Sequence, residues 1–289
     1  MMTEGRSVGG AASWPASLGS LRTDHAEPSV FRPEGLLREA RRQRRLPEGR
    51  VPAVCLLDPD GDIVRWLHQS GVGRWSECWA CYHTQLWQTE VEGVPVGVVG
   101  NAVGAPFAVL VAEELVASGC ELVVSITSSG QLDATLTLPA TILVDRALRG
   151  DGVSYAYLPP DHFVAGDAAL LEAVAEELAR RDLVFVRGAT WTTDAPFRET
   201  RTALAAAATA GVMAVEMEVA GLYAFAYACQ RPVICFALVT NQMAQREGDF
   251  EKGADDGARH ALALTAAAAR GWHRHRGRAN GQSHMGAAP

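Results

Sequence analysis

Glu216-Met217-Glu218 sets two carboxylates one residue apart, where a β-rich run at 212–215 gives way to helical periodicity at 216–229. Carboxylates in the first turn of a helix face the positive end of its dipole, so one use for the pair is to stabilise the helix. A second use is recognition. Glu218 can accept two hydroxyl hydrogens while Met217 presents an apolar surface. A ribose, with a vicinal 2′,3′-diol and an apolar carbon face, suits that combination.

The rest of the chain must position this pair. Apolar, β-rich runs occur at 51–57, 94–99, 121–127, 141–145, 183–187, 212–215 and 232–240. Helical periodicity occurs at 105–118, 167–181, 199–210, 216–229 and 255–270. Strands alternating with helices predict an α/β domain with a largely parallel, buried sheet. In such sheets ligands collect outside the carboxyl ends of the strands, which is where Glu216–Glu218 stands. The expected organisation is a disordered leader at 1–32, a short basic helix or linker at 33–50, one domain at 51–272 and a disordered tail at 273–289.

Charge narrows the partners. The chain carries a net −7, but residues 1–50 hold nine arginines against six acids, and the last twenty hold four arginines and no acid. The body, 51–269, is therefore at −14, and Lys252 is the only lysine in the chain. An acidic body is poor at holding nucleic acid through its phosphates, so any anion must bind at a small, focused site. There is no apolar run long enough to span a membrane and no secretory pattern, which predicts a cytoplasmic protein with reduced cysteines. Cys78-x-x-Cys81 with His83 lacks a second ligand pair at zinc spacing and reads as packing, so no metal is expected.

Five segments in order carry a resemblance. Val215–Ala226 resembles the signature of the nucleoside phosphorylase superfamily, in its purine nucleoside/uridine phosphorylase branch. Gly61-Asp-Ile-Val-Arg65 resembles that family's early phosphate loop, with Ile63 where proline is usual. The run from Val103 through Gly104 and Pro106 resembles its glycine-proline turn entering a helix. Val124–Gly130 resembles the strand that ends in a Ser/Thr-Gly phosphate loop. The stretch 189–200, with Val239-Thr-Asn241, resembles the base-pocket loop and the strand end that faces the base. The resemblance implies an α/β fold, a single three-layer α/β/α sandwich with a mixed, largely parallel central sheet. It also implies a homo-oligomer, a dimer or a trimer of dimers.

By the same resemblance, Gly61, Arg65, Ser128 and Ser129 would bind phosphate, Met217 and Glu218 the ribose, and Phe197, Arg198 and Asn241 the base. Arg65, Glu218 and Asn241 would be catalytic, with inorganic phosphate as co-substrate and no cofactor. The activity implied is phosphorolysis of a 6-oxopurine or pyrimidine nucleoside to free base and ribose 1-phosphate. Two departures keep alternatives open. Ser125 stands where the family's strand carries a phosphate-gripping arginine, and Thr127 where it carries glycine; Arg74, Arg198, Arg201 or a neighbouring subunit's arginine could substitute. Without a replacement, water could act as nucleophile with Glu216 as general base, or the chain could bind a nucleoside without turnover. Arg149–Tyr157 is a glycine loop placed near the 5′ side of the sugar, with Ala156 where relatives carry histidine, and Asp249–Gly253 reads as a lid over the base.

Overall fold

Strand-length runs of Val, Ile and Leu build a ten-stranded mixed sheet with helices packed on both faces. The computed structural model describes residues 25–242, 252 and 254–285. Residues 1–24 of the expected leader, 286–289 of the expected tail, and the 249–253 turn apart from Lys252 lie outside the described residues. In chain order the elements are α1 (Pro33–Arg44), β1 (Val54–Asp58), α2 (Asp62–Ser70), β2 (Arg74–Trp75), β3 (Leu86–Val91), β4 (Val94–Gly100), α3 (Ala105–Ala117), β5 (Leu122–Gln131) and β6 (Ala140–Gly150). There follow α4 (Ser154–Tyr157), β7 (Phe163–Ala165), α5 (Ala168–Arg180), β8 (Val186–Thr193), α6 (Arg201–Thr209), β9 (Val212–Glu216), α7 (Val219–Cys229), β10 (Val233–Asn241) and α8 (Ala258–Met285).

The strand order is β10-β6-β8-β9-β5-β1-β4-β3-β2, with β7 on β6 and a further pairing of β10 with β5. That last pairing closes β5, β9, β8, β6 and β10 into a five-stranded ring, where a plain layered sheet was expected. Register shifts in β6, β9 and β10 supply the local bends that let the sheet curl. Nor is the sheet largely parallel. β1–β4, β1–β5, β5–β10, β6–β8 and β8–β9 are parallel, and the other five pairings are antiparallel.

Period-two alternation sorts the side chains into two cores. From β1, Cys55 and Leu57 join the cluster that includes α3 and α7, while Val54 and Leu56 join the one that includes α2, α5 and α8. β1 leads into α2 on one face and its neighbour β4 leads into α3 on the other, which opens a crevice at their carboxyl ends. The chain beyond 272 is not a tail within the described residues. It extends α8 through Met285, and Arg274, Arg276 and Arg278 pair with Glu177, Glu121 and Glu176 of the acidic body.

Helices α3 and α7 approach closely because α7 carries Gly221, where a Cβ would stand 2.8 Å from that of Ala105 and 3.2 Å from Cγ2 of Val109. Both helix starts, and the residues they present, depend on that contact. Gly221→Val should therefore destabilise the fold by about 2 kcal/mol, since overpacking outweighs any gain in helix propensity. Urea unfolding measures this, and an unchanged midpoint would contradict the packing described.

Candidate active site

The β9–α7 junction is held by Glu216. Its carboxylate accepts from the hydroxyls of Thr190 (3.1 Å) and Thr192 (2.5 Å) on one oxygen. The other oxygen accepts from the backbone N–H groups of Glu218 (2.6 Å) and Val219 (2.8 Å). Thr192 in turn accepts from Ala220 N–H at 2.8 Å. The parallel register that sets Thr192 beside Glu216 brings these groups together. Burial, with the charge of Glu218 added, pushes the Glu216 carboxyl up to about 8, against the pull of Thr192 and the two N–H donors. With four donors in place, Glu216 is a scaffold group, and the part of a base for water expected of it is not open.

Because Glu216 takes the N–H groups at the head of α7, the N-cap residue Glu218 makes no capping bond with its own side chain. Its carboxylate turns instead toward the crevice between strands. Gly104 N–H donates to it at 2.7 Å, Thr127 Oγ1 at 2.8 Å and Met217 N–H at 3.3 Å. Glu218 is 1% exposed, and its carboxyl is raised by burial, with the charge of Asp60 adding to the shift. The turn before α3 thus supplies a ligand for Glu218: Gly104 sits at φ 85° with its N–H aimed at the carboxylate. Met217 beside it is half-buried.

Ser128, Ser129 and Gly130 lie within β5 and do not form a loop after it. All three pair with β10, opposite Leu238, Val239 and Asn241. On its other edge β5 pairs with β1 as far as Ser125 and with β9 from Gly130. Between those points the edge is open. There Ser128 donates both its hydroxyl (2.5 Å) and its N–H (3.3 Å) to one oxygen of Asp60. Buried Asn241 donates to the Ser129 carbonyl at 3.3 Å. Glu218, Thr127, Ser128, Ser129 and Asn241 are therefore brought to one place, as the sequence predicts for most of them.

Of the other expected site residues, Gly61 and Arg65 flank the turn that brings Asp60 to Ser128, and the rest stand apart from that group. Gly61 caps α2 at φ 75°, with Asn101 Oδ1 2.4 Å from where a Cβ would stand. Arg65 is on α2, half exposed, and reaches back to Asp62 at 2.6 Å and toward Asp256 at 3.6 Å. Phe197 is 99% exposed, and its short turn (Pro196–Arg198) exposes Arg198 as well among the described residues. Ser125, at the position of the family's arginine, is fully buried and its hydroxyl has no partner among the described residues. Arg149 is committed to its own loop, bonding Ser154 and the carbonyls of Leu158 and Pro159. Cys78 and Cys81 are free thiols, and residues 79–85 form no strand. Among the described residues no three His, Cys, Asp or Glu side chains gather so as to hold a metal ion.

Sequence reasoning missed Asp58, Asp60 and Lys252. The signal was there in Asp58-Pro-Asp-Gly-Asp62, an acidic run at the mouth of a supposed anion site. Asp58 accepts from Val64 N–H, in the first turn of α2, at 3.0 Å. Asp60 accepts from Ser128 and from Lys252 Nζ (3.0 Å), and Asp62 from Arg65 and the same Lys252.

A family model described as "Phosphorylase superfamily" matches residues 76–270, a span that begins after the Asp58–Arg65 segment. The chain is also similar to a Myxococcus xanthus (strain DK1622) protein named purine nucleoside phosphorylase DeoD-type, at 31% identity over 136 residues. The aligned stretch is 46% of this chain and 57% of that relative, so the chain spans little more than half of the relative's length.

Burial raises the Asp58 carboxyl to about 6, with the charges of Asp60 and Asp62 adding to it and the Val64 N–H opposing. A carboxyl raised on folding stabilises the protein fully below its ordinary value near 4, and that contribution is lost as pH rises through about 6. Asp58→Asn keeps an acceptor for Val64 and removes the titration. Between pH 4 and 7 the variant should lose less stability than the wild type, by up to about 3 kcal/mol. Urea melts across that range would contradict this if the two curves ran parallel.

Proposed function

The chain belongs to the phosphorylase superfamily, and from that membership and the geometry at Glu218 we propose that it cleaves the N-glycosidic bond of a nucleoside by phosphorolysis. The observation that carries the reading is the Glu218 carboxylate, released from capping by Glu216 and bonded to Gly104 and to Thr127, the neighbour of Ser128 on β5. Bound there, a ribose would exchange its 2′- and 3′-hydroxyls for Thr127 and part of the present shell of Glu218, with Met217 against its carbon face. Phosphate would enter at Ser128 and attack C1′ as the base departs, transferring the pentosyl group to a phosphate oxygen.

The transition state places positive charge on the sugar, so carboxylates near C1′ stabilise it electrostatically. Holding sugar and phosphate together also removes the entropic cost of their encounter. Asn241 would meet the leaving base. Its amide offers both a donor and an acceptor, which suits a 6-oxopurine or a pyrimidine better than adenine. The purine named for the Myxococcus relative is consistent with the first of these. Phe197 and Arg198, exposed on their short turn, are free to close on the base beside Asn241. Hydrolysis by water with Glu216 as base has no support from the geometry, since four donors occupy that carboxylate. A homo-oligomer, inorganic phosphate as the sole co-substrate and a cytoplasmic setting complete the reading.

The test is incubation with inosine, uridine and adenosine, with and without phosphate, followed by analysis for free base and ribose 1-phosphate. Phosphate-dependent release from inosine or uridine is expected. Glu218→Gln, verified as folded, should lower kcat/KM by about 100-fold or more through loss of charge-assisted hydrogen bonds to the diol. Phosphate-independent release, or full activity in that variant, would overturn the reading.

A further inference from the structure

We propose that Asp60 is a tethered anion that occupies the phosphate position of the site and determines how readily inorganic phosphate binds. The inference rests on the reading of Ser128 as the phosphate donor. Ser128 offers an O–H and an N–H from the open edge of β5, the pair of donors that a phosphate oxygen would take. Both are filled by one oxygen of Asp60, at 2.5 and 3.3 Å, and Lys252 Nζ lies 3.0 Å from the same atom. Carboxylate, hydroxyl, amide and ammonium thus reproduce the contacts of a bound anion.

The turn that carries Asp60 explains why the carboxylate reaches there. Gly61 N–H bonds back to the Asp58 carbonyl at 3.0 Å, and Gly61 adopts φ 75° before α2 begins. Asp60 rides at the tip of that turn, and its side chain is 37% exposed, so it can swing away without disturbing the core. Its two neighbours deal with the remaining donors. Asp58 covers the Val64 N–H at the head of α2, and Asp62 holds Arg65 and Lys252. Asp60 and Asp62 thus answer Lys252, and Asp62 with Asp256 (3.6 Å) answers Arg65, three carboxylates on two cations. A phosphate dianion arriving here must displace Asp60 and meets two cations already outnumbered by carboxylates.

A tethered group competes at an effective concentration on the order of millimolar, so free phosphate below that level is largely excluded. Removing the charge of Asp60 leaves Ser128 open and Lys252 with one partner fewer. Asp60 is therefore a specificity-determining residue for the nucleophile, and phosphate affinity is held down by the chain itself.

The experiment uses the full chain without nucleoside, titrating inorganic phosphate into wild type, Asp60→Asn and Asp60→Ala by equilibrium dialysis. Both variants should bind phosphate at least tenfold more tightly than wild type, and Lys252→Ala in the Asp60→Asn background should reverse the gain. Thermal melting establishes that each variant is folded, and the two substitutions at 60 guard against failure of either. Folded variants that bind no tighter than wild type, or a gain that survives loss of Lys252, would overturn the proposal. Because no turnover is needed, the two readings fail separately. Tighter phosphate binding without base release sinks the activity and upholds Asp60, while phosphate-dependent release with no gain at Asp60→Asn sinks Asp60 alone.

Discussion

The carboxylate of Glu216 is the constraint on which the site depends. It joins β8 to the head of α7 through two threonine hydroxyls and two backbone N–H groups, all buried. Hydrogen bonds of this kind contribute about 1 kcal/mol each, and leaving a buried polar group unpaired costs roughly 1–3 kcal/mol. The geometry of the junction is therefore rigidly specified. Its consequence is a division of labour between two adjacent glutamates: Glu216 satisfies the helix start, and Glu218 is left to face the crevice. Gly104 and Thr127, from the α3 turn and β5, then complete a polar cage that ties together three separate parts of the chain.

Charge organises the rest of the molecule in a similar way. The acidic body pairs with its own basic end, where arginines of α8 meet Glu121, Glu176 and Glu177. At the site the balance is local and closer to neutral, with Lys252 between Asp60 and Asp62, and Arg65 between Asp62 and Asp256. The arginine absent at Ser125 has no replacement there among the described residues. Arg74, Arg198 and Arg201, the arginines of this chain that could have replaced it, are all exposed.

Much of this was legible in the sequence, and what was not has physical causes. Helices α3, α5, α6 and α7 show their apolar periodicity, and β1, β4, β5, β9 and β10 are runs too apolar to be anything but buried strands. Glu218 stands out in the sequence by its carboxylate beside Met217 at a helix start, whereas Ser128 and Asn241 are marked only by the resemblance. β3 was missed because Leu86-Trp-Gln-Thr-Glu-Val91 is half polar, as suits a strand near the sheet edge. The pairing of Arg65 was not foreseen because the segment after Gly61 is a helix; three residues after Asp62, its guanidinium finds that carboxylate on its own helix. The meeting of Asp60 with Lys252 spans 192 residues of chain, beyond any local pattern. The closure of the ring by β5 and β10 is likewise a tertiary fact, made through bulges that composition does not mark.

The most direct measurement of the account is a crystal structure with a nucleoside bound. The account predicts both ribose hydroxyls about 3 Å from the Glu218 carboxylate, with the Thr127 hydroxyl turned aside and all four donors still on Glu216. A ribose bound elsewhere, with Gly104 and Thr127 still closed over Glu218, would contradict it.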